Sequence, residues 1–386
     1  MRIELRHMAA AGLGLGGPVA WGVASGRPAL GALAAIGALA VSGLFTGETG
    51  AVRPGLRRVL IHGVAAVAGT AVAGLAGALV AGRGWLTAVT VVLIAGLLAV
   101  AGGISRPMAE HSTRFVVFMV ISTGVAKGVE PVAAAVLFAE GAAWGLLVTA
   151  LCLHSRKGRA EPGEPATAAR PAAPAGALRA SPPGGLPVPP ARALRASSPG
   201  GLPAPPAGAL PAPPARALLR RWWRMLGSVS GWQYPIRLTA CLAAAEAVGL
   251  LWQQPTASWI AVTVVIVVRR RLDGAARRSV ERAAGTAAGV AAGSAVLLWV
   301  PPSWLFVLLV SALAAVRPVL KERAYTLYAT VMTPLVLLLM EGGARVAPAT
   351  IGYRLADTAI GCVLALGLGY LPWVVRRERS VRAVVG

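Results

Sequence analysis

Two residues of opposite charge, Arg354 and Asp357, lie three positions apart inside an apolar segment near the carboxyl end of the chain. This spacing places both side chains on one face of a helix. An unpaired charge inside a membrane costs roughly 2.5–3.5 kcal/mol on insertion scales, so both should face protein or water. Because a planar guanidinium binds a carboxylate through two parallel hydrogen bonds, Arg354 is a candidate for attracting an anion. Asp357 would be its partner or a proton site, and the alternative is an ion pair that holds two helices together.

Two further carboxylates, Glu246 and Glu140, lie within apolar segments. A carboxyl group in such surroundings can bind and release protons near neutral pH, so Glu246, Glu140 and Asp357 are candidates for proton coupling. The alternative for Glu246 is an ion pair with Arg237 or Arg354, because charges inside membranes usually pair.

Small residues and a proline mark two other helices. Gly285, Gly289 and Gly293 recur every four residues and predict a ridge against which another helix packs closely. The same ridge would also serve as a sliding seam. Pro334, after Thr333, removes a backbone hydrogen bond, so it should kink its helix and free a carbonyl near a solute path. A bend needed only for packing is the alternative.

The elements that must position these residues are membrane helices. The 386 residues are 56% hydrophobic and only 13% charged, which departs from soluble globular composition. The net charge of +23 lies mainly between the apolar segments, so it indicates membrane topology and not binding to nucleic acid. Twelve spans are predicted, at residues 8–24, 28–46, 59–82, 84–103, 113–127, 131–153, 236–252, 256–269, 280–300, 302–317, 324–341 and 348–374, and a total of ten or eleven is the alternative.

Alternate loops are rich in arginine, which favours a cytoplasmic amino terminus because such loops resist translocation. The loops expected in the cytoplasm carry Arg53, Arg57, Arg58, Arg106, Arg114, Arg269, Arg270, Arg271, Arg277, Arg278, Arg317, Lys321 and Arg323. The opposite loops carry Arg27, Arg83, Lys127 and Arg345. Both termini and the central linker would then be cytoplasmic, in a multi-pass protein of the cell (inner or plasma) membrane. A cleavable signal peptide is the alternative for the first helix.

Other chemistry lacks the residues it needs. The three cysteines contain no C-x-x-C pair and the four histidines are scattered, so no metal site is expected. The chain has no G-x-x-x-x-G-K-[ST] loop and no Ser-His-Asp or metal-ligand set. We therefore expect no cofactor and no enzymatic activity.

The sequence divides into four parts, at residues 1–154, 155–220, 221–375 and 376–386. The second is rich in Pro and Ala and contains a degenerate 16-residue repeat that begins at Ala177, Ala193 and Ala209. Such composition predicts a disordered, semi-rigid cytoplasmic tether, with a ligand for a polyproline-binding domain as the alternative. The cluster Arg220–Arg224, which includes Trp222 and Trp223, predicts a short interfacial helix. The last part is a basic tail.

The first and third parts match each other at three places, in order. The matched pairs are Gly69-Thr70 with Gly285-Thr286, Trp85 with Trp304, and Glu140 with Asp357, at offsets of 216, 219 and 217. Ordered matches favour a duplication. The predicted fold is therefore an all-α polytopic membrane protein of two six-helix repeats, related by a pseudo-twofold axis along the membrane normal.

The second repeat resembles the fusaric acid resistance family, the aromatic acid exporter-like integral membrane transporters. The motifs that carry the resemblance are Trp259-Ile260-Ala261-Val262-Thr263, Arg278 with Glu281-Arg282, Gly285-Thr286-Ala287-Ala288-Gly289, Thr333-Pro334 followed by five apolar residues, and Arg354-Leu355-Ala356-Asp357-Thr358-Ala359-Ile360-Gly361. The first repeat has no Trp-x-x-x-Thr and no Arg-x-x-Asp-Thr. Thr333 and Thr358 join Arg354 and Asp357 as candidate substrate-binding residues.

The resemblance implies efflux of aromatic carboxylic acids or related small organic compounds. The expectation is a secondary exporter, driven by protons, whose partners are the lipid bilayer and a small organic anion. A passive organic-anion channel and a non-transporting membrane scaffold are the alternatives. Whether the chain forms a homo-oligomer is left open.

Overall fold

Apolar segments of this chain fold as helices because a backbone in hydrocarbon must satisfy its hydrogen bonds internally. The computed structural model describes residues 2–42, 56–154, 215–254, 256–270, 275–299, 302–342 and 347–375. Within these residues there are thirteen α-helices and no strand. They are α1 (Arg2–Ala24), α2 (Pro28–Ser42), α3 (Leu56–Val80), α4 (Trp85–Ala101), α5 (Arg106–Val125), α6 (Pro131–His154), α7 (Ala215–Leu226), α8 (Val229–Leu251), α9 (Ser258–Val267), α10 (Ala275–Trp299), α11 (Ser303–Arg323), α12 (Tyr325–Glu341) and α13 (Pro348–Gly367).

Each of the twelve predicted spans coincides with one of these helices, and α7 lies at the predicted interfacial segment. Five stretches in the described residues are long and apolar enough to cross a membrane: Val59–Val80, Pro131–Cys152, Gly231–Leu251, Ser303–Lys321 and Ala349–Val375. Five more apolar helices are shorter, and α1 and α5 belong to neither group. The chain is thus a multi-pass membrane protein. Residues 155–214 of the predicted linker at 155–220 and the basic tail at 376–386 lie outside the described residues, and residues 215–220 begin α7.

The helices on both sides of the linker belong to one compact unit. We call α1–α6, before the linker, the first side, and α8–α13, after it, the second side. Between the two sides, α1 packs on α11, α4 on α8, α5 on α9, and α2 on α12. Within the first side α3 packs on α5 and α6, and within the second α10 packs on α12 and α13.

Two short helices lie deepest in this unit. In α2 the run from Gly31 to Val41 is buried, and in the ten-residue α9 most side chains are buried, including Trp259 and Thr263. Apolar side chains all round a helix are typical of one enclosed by others. Residues at the centre of the protein therefore come from α2 and α9 and from the helices that pack on them.

Two side chains from the other side of the linker form hydrogen bonds with carbonyls at the end of α4. Trp222 of α7 donates its indole N–H to the carbonyl of Val100 at 3.0 Å, and Arg270, just beyond α9, donates to that of Ala99 at 2.9 Å. The carbonyl of Val100 also accepts the backbone N–H of Gly103 at 3.0 Å, so the indole bond is a second one to an oxygen with two lone pairs. The two side-chain bonds attach α7 and the end of α9 to α4.

The glycine ridge of α10 faces α12. A Cβ atom added at Gly289 would lie 2.7 Å from the carbonyl oxygen of Thr330 and from the Cβ of Thr333. Because Pro334 has no N–H, the Thr330 carbonyl lacks its helical partner, and it lies against this glycine. The close approach of α10 and α12 therefore depends on the absence of a side chain at Gly289.

We expect Gly289→Ala to lower the thermal unfolding midpoint in detergent, since the methyl group must displace the backbone of α12 at a cost of about 1–3 kcal/mol. Gly352→Ala in α13 is the matched control, because its added Cβ meets no atom within 4 Å. That control should be neutral or slightly stabilising, since alanine favours helix over glycine. Equal midpoints for Gly289→Ala and the native protein would contradict the expectation.

Candidate functional site

A cavity of about 420 Å³ lies where α2 and α5 of the first side meet α9, α10, α11 and α12 of the second. Its volume is within the usual range for sites that bind small molecules. It is the larger of two prominent cavities in the described part of the chain.

Four basic side chains line this cavity, Arg114 of α5, Arg269 after α9, and Arg317 and Lys321 of α11. None of the described residues that line it is acidic. Arg317 is only 5% exposed, donates a hydrogen bond to the hydroxyl of Ser42 and lies 4.0 Å from the sulfur of Met332. A buried guanidinium held between α2, α11 and α12 favours a negative charge in the cavity.

Hydroxyl and aromatic side chains also line the cavity: Thr113, Thr263, Thr286, Thr333, Phe118, Trp259 and Tyr328. Thr263 donates its hydroxyl proton to the carbonyl of Trp259 at 2.9 Å, and Thr333 donates its own to the carbonyl of Ala329 at 2.9 Å. These donations fix the hydroxyl oxygens and leave them able to accept hydrogen bonds. The site therefore combines positive charge, aromatic surface and polar anchors.

Behind Trp259 lies a second polar group of residues, on the side of α9 where that helix begins. The indole N–H of Trp259 donates to the hydroxyl of Thr358 at 3.0 Å, and the guanidinium carbon of Arg354 lies 5.4 Å from the centre of the indole ring. Arg354 also forms an ion pair with Glu341 at the end of α12. Trp259 thus separates the cavity from this group, which is held together by hydrogen bonds, an ion pair and a cation–π contact.

Asp357 belongs to the same group. Its carboxylate accepts a hydrogen bond of 2.6 Å from the hydroxyl of Thr256, in the segment before α9, and its side chain is buried. Arg354 pairs with Glu341 of α12, so the ion pair of the alternative interpretation does join two helices, whereas Asp357 bonds Thr256. The Nε and Nη1 atoms of Arg354 are buried and have no hydrogen-bond partner among the described residues.

The other predicted site residues are spread through the protein. Thr333 lines the cavity, whereas Arg354, Asp357 and Thr358 lie behind Trp259. Glu246 is partly buried in α8, and no hydrogen bond or ion pair joins it to another described residue. Glu140 is exposed on α6. The structure therefore brings together four of the predicted residues around Trp259 and places the two glutamates elsewhere.

The alternative pairing of Glu246 with Arg237 or Arg354 is wrong. Arg237 is fully buried, donates to the carbonyl of Gly369 and lies 4.5 Å from the centre of the Tyr370 ring. A cation over an aromatic face is stabilised by the ring quadrupole. Arg237 therefore fastens α8 to the end of α13 and does not neutralise Glu246.

Sequence reasoning missed three residues of the cavity, Arg114, Arg317 and Trp259. The two arginines served only as topology markers, and Trp259 only as part of a motif. α5 begins at Arg106 and α11 ends at Arg323, so Arg114 and Arg317 lie about two turns inside their helices. A charged residue at such a depth is a candidate for a functional site.

No three residues among the histidines, cysteines and acids of the described part are placed to hold a metal ion. The central cavity combines basic side chains with apolar and aromatic surface.

Comparison with known proteins gives one family. The model of the fusaric acid resistance protein-like family matches residues 241–368. This range begins within α8 and ends just after α13. No curated protein and no solved structure matches the chain. The match confirms the resemblance carried by the motifs around Trp259, Gly285, Thr333 and Arg354, and it indicates a role in membrane transport or efflux. Residues 241–368 are thus similar to the fusaric acid resistance protein-like family.

Proposed function

We propose that this protein is a secondary transporter that exports small organic anions, with aromatic carboxylic acids as substrates. The observation that carries the proposal is the cavity between the two sides, which has four basic side chains and no acidic one among its described lining residues. A carboxylate would bind Arg317 or Arg114 through paired hydrogen bonds. The aromatic part of the substrate would lie against Trp259 or Tyr328.

A twofold arrangement of the helices supports this proposal. The helix contacts are largely preserved when α1 to α6 are exchanged in order with α8 to α13, so that the pair α1–α11 becomes α8–α4 and the pair α2–α12 becomes α9–α5. We propose a pseudo-twofold axis that lies between the pairs α1–α11 and α4–α8, and between the pairs α2–α12 and α5–α9. The cavity would then lie near the axis, where inverted or parallel repeats commonly hold their substrates.

The proposed topology sets which side of the membrane the cavity faces. With a cytoplasmic amino terminus, the helix ends that carry Arg114, Arg269, Arg317 and Lys321 lie towards the cytoplasm. The group formed by Trp259, Arg354 and Asp357 then lies towards the outside. With this topology, the cavity would receive anions from the cytoplasm and would be closed on the outer side.

Proton coupling would use Asp357 or Glu246. Asp357 lies in the outer closure, where protonation would weaken its bond with Thr256 and favour opening. Glu246 is partly buried without a bonded cation. Glu140 is exposed on α6 and faces away from the protein interior, so it is the weakest of the three candidates.

The test is transport by the purified protein in liposomes. Labelled benzoate should exchange across the membrane with saturation, unlabelled benzoate should compete, and benzamide, which has the same ring without the charge, should not. A proton gradient directed into the liposomes should drive benzoate out of them, against its own concentration gradient. Flux no greater than in protein-free liposomes would refute transport and favour a scaffold, whereas saturating flux that ignores the proton gradient would favour a passive channel.

A further inference from the structure

A second cavity, of about 230 Å³, lies in the first side of the protein between α3, α4 and α5. Its lining includes Gly69 of α3, Leu98 of α4, and Ser112, Arg114 and Phe118 of α5. None of these residues belongs to the part of the chain that matches the family.

This cavity lies at the surface of the helix unit, in a gap between α3 and α4. α3 and α4 each pack along α5 but contact each other far less, so α5 forms the floor of a gap between them. The lining residues that are exposed at its rim are apolar, Ala65 of α3 and Met108 of α5. Exposed apolar side chains on membrane helices face the acyl chains, so a molecule dissolved in the bilayer could reach the gap sideways.

One end of the cavity holds buried donors without partners. Ser112 is only 4% exposed, and its hydroxyl has no hydrogen-bond partner among the described residues. The Nη1 atom of Arg114 is also buried without a partner there, while Glu110, one turn earlier, bonds Arg106 at 3.2 Å. A buried donor left unsatisfied costs free energy, so both groups favour an acceptor in the cavity. The acceptor that suits a guanidinium is an anion.

The two cavities share a wall. Arg114 and Phe118 line both the lateral cavity and the central one. An anion held by Arg114 in the first would therefore need only to pass the Phe118 ring, with Arg114 turning alongside it, to reach the second.

We propose that the lateral cavity is a separate binding site for amphipathic organic anions, and that it loads them from the cytoplasmic leaflet of the bilayer. The apolar part of the ligand fills the slot between α3 and α4, and its anionic group bonds Arg114 and Ser112. This inference rests on the proposed function, because Arg114 then passes the anion to the central cavity.

Gly69 offers a way to fill this site without disturbing the helices. A Cβ atom at Gly69 meets no atom within 4 Å, so the side chain of Gly69→Leu can occupy the cavity. Gly352→Leu, at an equally open position of α13, is the matched control. The probe is labelled 2-naphthoate, bound at equilibrium to the whole protein in nanodiscs of phosphatidylcholine.

We expect about two naphthoate molecules per native protein, about one for Gly69→Leu, and about two for Gly352→Leu. In liposomes, Gly69→Leu should raise the apparent KM for naphthoate at least tenfold, whereas Gly352→Leu should leave it unchanged. One naphthoate per native protein, lost on Arg317→Gln, would overturn the lateral site and leave the proposed function standing. No binding at all would overturn both. Loss of the second naphthoate when phosphatidylglycerol replaces part of the phosphatidylcholine would mean that the site holds a lipid headgroup, which also overturns the proposal.

Discussion

Replacing Arg317 by glutamine is expected to lower kcat/KM for benzoate transport at least tenfold while the protein stays folded. The reason is the position of this guanidinium, almost fully buried at the cavity wall. At an effective dielectric constant of 20, two opposite charges about 4 Å apart attract by about 4 kcal/mol. A tenfold change in affinity needs only about 1.4 kcal/mol, so losing part of this attraction is enough. Glutamine can still donate a hydrogen bond to Ser42, which preserves the contact with α2.

The matched control is Arg323→Gln. Arg323 lies on the same helix and carries the same charge, but it is exposed and does not line the cavity. Both substitutions lower the net charge by one, so a general electrostatic effect would appear in both. Transport rates in liposomes, together with a size-exclusion profile for each variant, separate the two cases. Equal losses for Arg317→Gln and Arg323→Gln would place the anion site elsewhere.

Replacing Trp259 by alanine should open the outer side of the cavity, so that benzoate leaks down its gradient and uphill accumulation is lost. Trp259 separates the cavity from the group around Arg354, and it holds that group through its ring and its N–H. Removing the indole takes away the wall and both contacts. Because a buried Trp→Ala change costs about 3–5 kcal/mol of stability, a milder variant is needed beside it.

Trp259→Phe is that variant. Phenylalanine keeps an aromatic ring below Arg354 and loses only the donor to Thr358, so it should retain most coupled transport. Trp304→Ala is the control for loss of a tryptophan, since Trp304 is exposed at the start of α11. Benzoate efflux without a proton gradient is the measurement. If Trp259→Ala liposomes hold benzoate as long as native ones, Trp259 does not close the cavity.

The helices of this protein could be predicted from sequence and their neighbours could not. A backbone in hydrocarbon must form its hydrogen bonds within its own segment. Apolar stretches between arginine-rich loops therefore become helices almost independently of their exact sequence. The partner of each helix depends on surface shape, and the surfaces of α2, α4 and α6, rich in Ala, Gly and Leu, are too alike to distinguish. The ridge around Gly289 is an exception, because a repeated glycine marks a close approach.

The candidate site was predicted only in part for a related reason. Arg354, Asp357, Thr358 and Thr333 stand out as polar residues in apolar segments. Their partners do not, because Glu341 is in another helix and Thr256 is about 100 positions away from Asp357. Spacing along one helix reports which residues share a face and says nothing about what that face meets.

The shortness of α9 has an electrical consequence. Ten residues of helix extend about 15 Å, half the thickness of the hydrocarbon core. If the cavity is filled with water from the cytoplasm, the transmembrane voltage falls across the thin layer around Trp259 instead of across the whole bilayer. A charge that crosses this layer gains or loses about 2.3 kcal/mol for each 100 mV. An anion would therefore do nearly all of its electrical work while passing a single side chain, and a negative cell interior would assist its exit.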